Sequence, residues 1–284
     1  PIDLQPGYQR LCGQNALDYV RFRHLDTDLV RNARQQDFLR QIKNQVGASG
    51  LISRRFGLER IFGRYASTDI RSADDVLRLL ELLVQSASHP VHQVVFNATL
   101  GPSYVTAAPG QIRQTVSEFL NGGAAPGHIQ LPGSRHGKRS VLPPVPLSQA
   151  SGTETAQATV LAQQVPFPLF YPIKRVTALG APADSMRAYP LHGGRAYVVV
   201  MAQGGLGQYY DLEGTNWSTP PILRSPNQTL SLGGRTYHLY FEGRRLRIVA
   251  WRSGPAVYWV VNTLQDILTN RQMLAIAQGA QLIH

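Results

Sequence analysis

Arginines and aspartates crowd one short stretch of the chain, residues 19–36, which has the sequence YVRFRHLDTDLVRNARQQ. It holds four arginines but only two aspartates within 18 residues. A guanidinium presents a planar fork of N–H donors that binds phosphate or carboxylate oxygens through paired hydrogen bonds. Because the aspartates cannot neutralise all the arginines, the stretch is expected to bind an anion with several oxygens, such as a diphosphate. An internal network of ion pairs without a ligand remains the alternative.

The first arginines of this stretch lie in a predicted strand. Residues 13–20 have the pattern of a short helical turn, after which polar and apolar residues alternate from Tyr19. Alternation of this kind is typical of a β-strand, in which every second side chain points to the same face. The pattern therefore predicts that Arg21 and Arg23 share one side.

The remaining arginines lie at the start of a predicted helix. Asp28 is predicted to be the N-cap of a helix over 29–46, on which Arg31, Arg34 and Gln35 share a face. That face is expected to continue into the apolar core of the domain through Phe38 and Ile42. The helix N-terminus adds free N–H groups and a partial positive charge. We therefore expect the arginines and the helix N-terminus to converge on one anion site.

The other predicted elements divide into two groups. In the first part of the chain, helices are predicted over 51–65, 73–86 and 110–120 and a strand over 92–100, with Ser72 at the start of the second helix. After residue 165 the pattern is rich in β-strands, predicted at 195–202, 236–243, 245–252 and 256–264. A final helix is predicted over 270–278, with Thr269 and Gln272 at the positions of a capping box.

Composition divides the chain into three parts. Residues 1–122 are predicted to be an α/β domain, residues 123–164 a mobile linker rich in Gly, Pro and basic residues, and residues 165–284 a smaller β-rich α+β domain. The basic cluster at 134–140 is interpreted as a solvated charge run, with attraction to an anionic polymer or lipid as the alternative.

Charge and composition restrict the classes of function. The net charge is +11, and lysine occurs at only three positions, so 25 of the 28 basic residues are arginine. The sequence pI of about 10.1 keeps nucleic-acid binding open, although arginines crowded into one small site suit a compact diphosphate better than a phosphate backbone. No run of about 18 apolar residues is present, so no membrane span is predicted. The single cysteine, Cys12, excludes an internal disulfide.

Aromatic side chains are the main other candidates for binding. Six of them in the β-rich part could form a surface for stacking on sugars, although packing within a sheet is the simpler interpretation; they are Trp217, Tyr237, Tyr240, Trp251, Tyr258 and Trp259. The eight histidines are scattered, and none pairs with Cys12 or a carboxylate at the spacing of a metal site.

The arginine stretch also carries a family resemblance. The order G-x-x-A-L-x-Y-x-R-x-R, an acidic loop and D-x-x-R-x-x-R-Q resembles the LytR–CpsA–Psr family of cell-envelope phosphotransferases. The matching residues are Gly13, Ala16, Leu17, Tyr19, Arg21, Arg23, Asp28, Arg31, Arg34 and Gln35. The resemblance implies an α/β/α domain that is anchored to the membrane and faces outward from the cell.

The resemblance also implies a reaction and its partners. Members bind a polyprenyl-diphosphate-linked glycan and move the glycan phosphate onto a peptidoglycan sugar hydroxyl, usually with Mg²⁺. By the resemblance, Arg21, Arg23 and Arg31 would be catalytic and would bind the diphosphate. Arg34 and Gln35 would also bind the diphosphate, and supporting these arginines would be the role of Asp28.

One departure from the family pattern concerns the start of the domain. Pro1 lies just upstream of the final motif of the family, so residues 1–122 are expected to be only the second half of the catalytic domain. The Mg²⁺ ligands are then expected upstream of this chain, and a separate fragment with the first half would be a partner. The alternative function is a non-catalytic module of the cell envelope that binds polyanions or glycans, and a nucleic-acid binder is the third interpretation.

Overall fold

The computed structural model describes most of the two ends of the chain and parts of its middle. The described residues are 4–22, 28–53, 64, 72, 74–75, 78–79, 81–82, 85, 94, 96, 99–100, 104–121, 127–129, 145–176, 185–203 and 208–283. The chain divides into two units, one formed by Pro1–Ala33 with Gln93–His284 and the other by Arg34–His92.

Helix α1 (Gly13–Arg21) replaces the strand that was predicted from Tyr19. Ala16 is buried, and Tyr19 and Val20 are half-buried at the i+3 and i+4 positions, so one side of a helix is covered. The strand prediction was wrong because the alternation from Tyr19 coincides with the last turn of this helix. Phe22 ends the helix with an extended ψ of 133°.

Helix α2 (Asp28–Ser53) begins at the predicted place and extends beyond the predicted end. Among the side chains of α2 that the structure describes, Val30, Ala33 and Arg34 are buried, whereas Ile42 is 41% exposed. The predicted core face through Arg31, Gln35 and Ile42 is therefore wrong. The small and β-branched side chains at 30 and 33 are covered instead, so Gln35 is exposed and Arg31 is only partly buried.

The middle of the chain confirms two of the predicted helices in part. The Ser72 hydroxyl accepts a hydrogen bond of 3.1 Å from the Asp75 N–H, as expected where a helix begins. Helix α3 (Pro109–Leu120) matches the helix predicted over 110–120. The strand predicted over 92–100 is wrong at Val94 and Phe96, which are in no strand. The end of that range forms β1 (Thr99–Leu100), which pairs with β2 (Val105–Thr106).

A seven-stranded antiparallel sheet dominates the C-terminal part. Its strands are β6 (Met186–Leu191), β7 (Gly194–Ala202), β8 (Tyr209–Thr215), β9 (Gln228–Leu232), β10 (Arg235–Glu242), β11 (Arg245–Ser253) and β12 (Ala256–Val261). Their spatial order is β6-β7-β8-β12-β11-β10-β9. The sequence predicted β7, β10, β11 and β12, whose long apolar runs are typical of strands.

The larger core covers one face of this sheet, which we call the inner face. Two short strands, β4 (Leu169–Pro172) and β13 (Ala280–Ile283), pair with each other, and helix α5 (Asn270–Gly279) contacts β11 and β12. The Trp251 and Tyr258 rings stack at 5.7 Å. The predicted capping box is confirmed, because the Thr269 side chain accepts a hydrogen bond from the Gln272 N–H.

Part of the predicted linker is folded. Residues Ser148–Gln149 form β3, which pairs with β5 (Lys174–Arg175), and Gly152–Ala162 form helix α4. Ser151 caps α4, and Glu154 in its first turn pairs with Arg175. Ala158 and Leu161 are buried in the larger core. The prediction of a mobile linker up to residue 164 is therefore wrong from β3 onward, because α4 packs as part of the β-rich domain.

The opposite face of the sheet, which we call the outer face, has its own apolar clusters. They include Val198 and Tyr189 on one side and Ala250 and Trp259 on the other, with Tyr8 from the N-terminal segment packed against Trp259. The mixed α/β fold class is confirmed, with a β-rich C-terminal part. The boundary placed at residue 122 stays a prediction. Within the described residues, the structure contains no helix long and apolar enough to cross a membrane.

Candidate functional site

Arg31 and Asp28 form an ion pair in the first turn of α2. A guanidinium nitrogen of Arg31 lies 3.1 Å from the Asp28 carboxylate, and their side chains are 23% and 71% exposed. The carboxylate restrains the guanidinium, and the Arg31 side chain remains partly exposed to solvent. Asp28 therefore has the geometry to orient Arg31, although its supporting role in ligand binding stays a prediction.

Arg21 lies in the last turn of α1, where its side chain is exposed. A cation at a helix C-terminus interacts favourably with the helix dipole. Because Arg21 is on a helix, it does not share a strand face with Arg23, which lies outside the described residues. The pairing of these two side chains on a strand was thus wrong in its geometry.

Arg34 and Gln35 differ sharply in exposure. Only 7% of Arg34 is exposed, whereas Gln35 is exposed on α2. A buried guanidinium needs partners within the protein, and Arg34 has interactions there. Arg34 is therefore less available to a soluble ligand than Arg31. The assignment of Arg34 and Gln35 to a diphosphate stays a prediction.

The described residues do not offer a ready site for a metal ion. No group of three or more His, Cys, Asp or Glu side chains suited to a metal occurs among them. Asp28, at the start of α2, is already paired with Arg31. Magnesium prefers carboxylate and water oxygens in octahedral geometry, so we assign it no ligand among these residues.

The aromatic set in the β-rich part mostly packs the sheet. Tyr237, Trp251, Tyr258 and Trp259 are at most 2% exposed, so they offer no surface for stacking on a sugar. Trp217 is half-buried, and its ring stacks on that of His192 with centroids 4.1 Å apart. The interpretation as sheet packing is therefore supported for the four buried rings.

Two acidic side chains on β8 were missed by the sequence reasoning. Asp211 and Glu213 alternate with Leu212, so both lie on the outer face. Glu213 is 4% exposed, and its Oε2 accepts hydrogen bonds from the Tyr189 hydroxyl at 2.7 Å and the Tyr8 N–H at 2.8 Å. An Asp-Leu-Glu pattern in a strand is typical of a solvated face, so the pattern did not predict that Glu213 is buried and Asp211 half-buried.

Burial perturbs the ionisation of both carboxyl groups. Loss of solvation and the neighbouring Glu213 charge hold the pKa of Asp211 well above its ordinary value of 3.8, although Arg247 acts in the opposite direction. Burial also raises the pKa of Glu213, although its hydrogen bonds from Tyr189 and Tyr8 act in the opposite direction. The outer face thus holds two carboxyl groups whose charged forms are costly.

Comparison with known proteins supports the family resemblance for the first part of the chain. Residues 1–118 match the model of the LytR_cpsA_psr family, and this range contains the whole arginine motif. The match does not test whether the chain holds only the second half of the family's domain, which stays a prediction. No curated protein and no solved structure matches the chain.

Proposed function

We propose that this chain is part of an exported phosphotransferase that transfers a glycopolymer from a polyprenyl-diphosphate carrier to peptidoglycan. The observation that carries the proposal is the family match over residues 1–118. That family acts in cell-wall glycopolymer transfer, and its proteins are associated with the cell envelope. We further place the protein at the extracytoplasmic face of the membrane.

The chemistry of this transfer suits arginines at helix ends. A sugar hydroxyl oxygen attacks the phosphorus that carries the glycan, and the bond from that phosphorus to the bridging oxygen breaks. Polyprenyl phosphate leaves, and the hydroxyl proton passes to that leaving phosphate or to water. Such a step depends mainly on positioning and on stabilisation of charge at the phosphate oxygens. Arg31, oriented by Asp28, and the exposed Arg21 would bind the diphosphate oxygens. The buried Arg34 would be less available to the diphosphate than Arg31.

The family resemblance is the only support for a magnesium ion in this reaction. When bound, the ion would neutralise charge on the diphosphate. None of the described residues is assigned to this ion. The arginines would bind and orient the diphosphate with or without the ion.

Substitution of the arginines tests the proposal directly. We expect Arg31→Ala and Arg21→Ala each to weaken binding of geranylgeranyl diphosphate by about 10- to 100-fold, which corresponds to the loss of a hydrogen bond between charged groups. Isothermal titration calorimetry with the full chain measures this change. Arg113→Ala is the matched control, because Arg113 is exposed on α3. Wild-type affinity in both test variants would overturn the diphosphate assignment.

Transfer assays separate the enzyme from a binding module of the envelope. Full-length protein, lipid-linked glycan and peptidoglycan should yield a glycan–peptidoglycan phosphodiester that mass spectrometry detects. Intact-mass spectrometry first verifies where the assayed protein starts. If that protein binds the diphosphate but does not form this product, the result would favour the non-catalytic module. Displacement of the probe by duplex DNA at low concentration would instead favour a nucleic-acid binder.

A further inference from the structure

The outer face of the β-rich domain holds a segment from the far end of the chain. The backbone N–H of Tyr8 lies 2.8 Å from Glu213 Oε2 and 2.8 Å from the Tyr189 hydroxyl oxygen. The Tyr189 hydroxyl in turn donates to the same carboxylate oxygen at 2.7 Å. One backbone N–H is thus shared between two side chains that lie 181 and 205 residues away in sequence. We call residues 6–8 the anchor segment.

The Tyr8 ring adds an apolar contact to these hydrogen bonds. It meets the buried Trp259 edge-on, with centroids 6.3 Å apart and an interplanar angle of 88°, and lies 6.5 Å from the half-buried Trp217. Ile222 and Leu223 belong to the same apolar cluster. Edge-on aromatic contacts of this kind are favourable beyond the area that they bury. The side chain and the backbone of Tyr8 are therefore both fixed on the sheet.

Gly7 allows the close approach of the anchor segment to Tyr189. Its φ of +115° is in a region that residues with a side chain rarely adopt, and an added Cβ would lie 2.6 Å from the Tyr189 ring. A side chain at this position would therefore have to displace either the ring or the segment. The fit is specific to glycine.

Glu213 and the anchor segment stabilise each other. A carboxylate with 4% exposure is costly unless donors surround it, and the anchor segment supplies one of its donors. If the segment leaves, Glu213 loses the Tyr8 N–H donor and keeps only the Tyr189 hydroxyl of this pair. The outer face and the anchor segment are therefore expected to hold together in the folded chain.

The anchor segment is tied closely to the helix that carries Arg21. Five peptide steps join Tyr8 to Gly13, the first residue of α1, and they span at most about 18 Å. The nine residues of α1 extend a further distance of about 13 Å. A fixed Tyr8 therefore limits where Arg21 can lie.

We propose that the β-rich domain positions α1, and through it Arg21, by holding the anchor segment on its outer face. Glu213 and Tyr189 are then positioning residues, since they act on the ligand only through α1. This gives residues 165–284 a role that the family's transfer activity does not assign. The inference rests on the proposed function for the identity of the ligand that Arg21 meets.

Gly7→Ala tests the inference with few other changes to the chain. We expect faster hydrogen exchange in peptides covering residues 4–21, and about tenfold weaker binding of geranylgeranyl diphosphate, the size of change that loss of one buried polar contact gives. Gly110→Ala is the control, since an added Cβ there meets nothing within 4 Å. Exchange in β11 and β12 should stay at the wild-type rate in both variants.

A double-mutant cycle distinguishes positioning from a general structural effect. If the anchor segment acts through Arg21, Gly7→Ala should cause no further loss of probe affinity in an Arg21→Ala background. An additive loss would overturn the inference. Should Gly7→Ala fail to fold, Tyr189→Phe removes the hydroxyl from the contact while keeping the ring, and the same pattern is expected.

The remaining outcomes separate this inference from the proposed function. Gly7→Ala could speed exchange at residues 4–21 without changing the affinity for the probe, while Arg31→Ala still weakens binding. That result would overturn the positioning role but would not contradict the proposed function. Absence of probe binding by the wild-type chain would overturn the proposed function, and the positioning of Arg21 for that ligand would fall with it.

Discussion

At the scale of single residues, the outer face holds an unusual pair of carboxyl groups. Asp211 and Glu213 stand two positions apart on β8 and face the same side. Oδ1 of Asp211 is buried and accepts no hydrogen bond from any described residue, whereas Glu213 has two donors. Burial raises the pKa of both groups, and Asp211 has fewer hydrogen-bond donors to offset the cost of its charged form.

Asp211→Asn should change how stability depends on pH. Because the pKa of Asp211 is raised in the folded chain, the folded state holds a proton that the unfolded state releases above the ordinary value of 3.8. The free energy of unfolding of the wild type therefore falls as pH rises from that value toward the folded pKa. Asp211→Asn has no carboxyl group to titrate at this position. Its free energy of unfolding should therefore exceed that of the wild type by an amount that grows with pH to about 1–3 kcal/mol.

Urea denaturation at several pH values measures this difference. Glu81→Gln removes a carboxylate from an exposed position and serves as the control. Parallel curves of unfolding free energy for Asp211→Asn and the wild type would show that Asp211 titrates as it does in the unfolded chain.

Residue types drew attention to the arginine stretch but not to the outer face. The excess of arginine around Asp28 predicted an anion site, which stays a prediction, and the structure pairs Asp28 with Arg31. The same reasoning could not distinguish the buried Arg34 from the half-buried Arg31, because that depends on which stripe of α2 is covered. It also missed Glu213, whose donors come from Tyr189 and Tyr8, far away in sequence.

At the scale of elements, length and apolar content decided which predictions held. Strands β7, β10, β11 and β12 have long apolar runs and were predicted, whereas β8 contains Asp, Glu and Gly and was missed. Helix α4 was assigned to a linker because its sequence, GTETAQATVLA, is small and polar. Its packing depends on the small Ala158 and on Leu161, which composition alone does not distinguish from linker residues.

Leu161→Ala should destabilise the β-rich domain, which would show that α4 belongs to its core. Leu161 is 3% exposed, so the expected cost is about 2–5 kcal/mol in the free energy of unfolding. Val160→Ala is a matched control on the same helix, since Val160 is 58% exposed and should cost well under about 1 kcal/mol. Guanidinium denaturation followed by tryptophan fluorescence, which reports on the buried Trp251 and Trp259, measures both.

Equal and small losses in the two variants would contradict the packing of α4 on the sheet. The residues before β4 would then be a linker, as composition indicated. A large loss in Leu161→Ala alone would place the start of the folded β-rich domain before α4.

At the scale of the whole molecule, the net charge of +11 concerns association more than the fold. A strongly positive protein attracts anions over distances comparable with the Debye length, about 10 Å at 0.1 M salt. That attraction comes from many arginines and speeds encounter with any polyanion. The specific contact proposed for Arg31 acts only once the diphosphate is bound, so the two contributions should appear in different rate constants.

Stopped-flow kinetics with a fluorescent polyprenyl diphosphate can separate these contributions. Raising the salt from about 0.05 M to about 0.5 M should slow association of the wild type by about tenfold or more, because added ions screen the net charge. Arg31→Ala should show nearly the same salt dependence of association, since it removes one of many charges, but faster dissociation. The uncharged prenyl alcohol is the control ligand, and its association should not depend on salt. Association of the diphosphate at a rate independent of salt would mean that the net charge does not guide the ligand, and that the basic residues act only through local contacts.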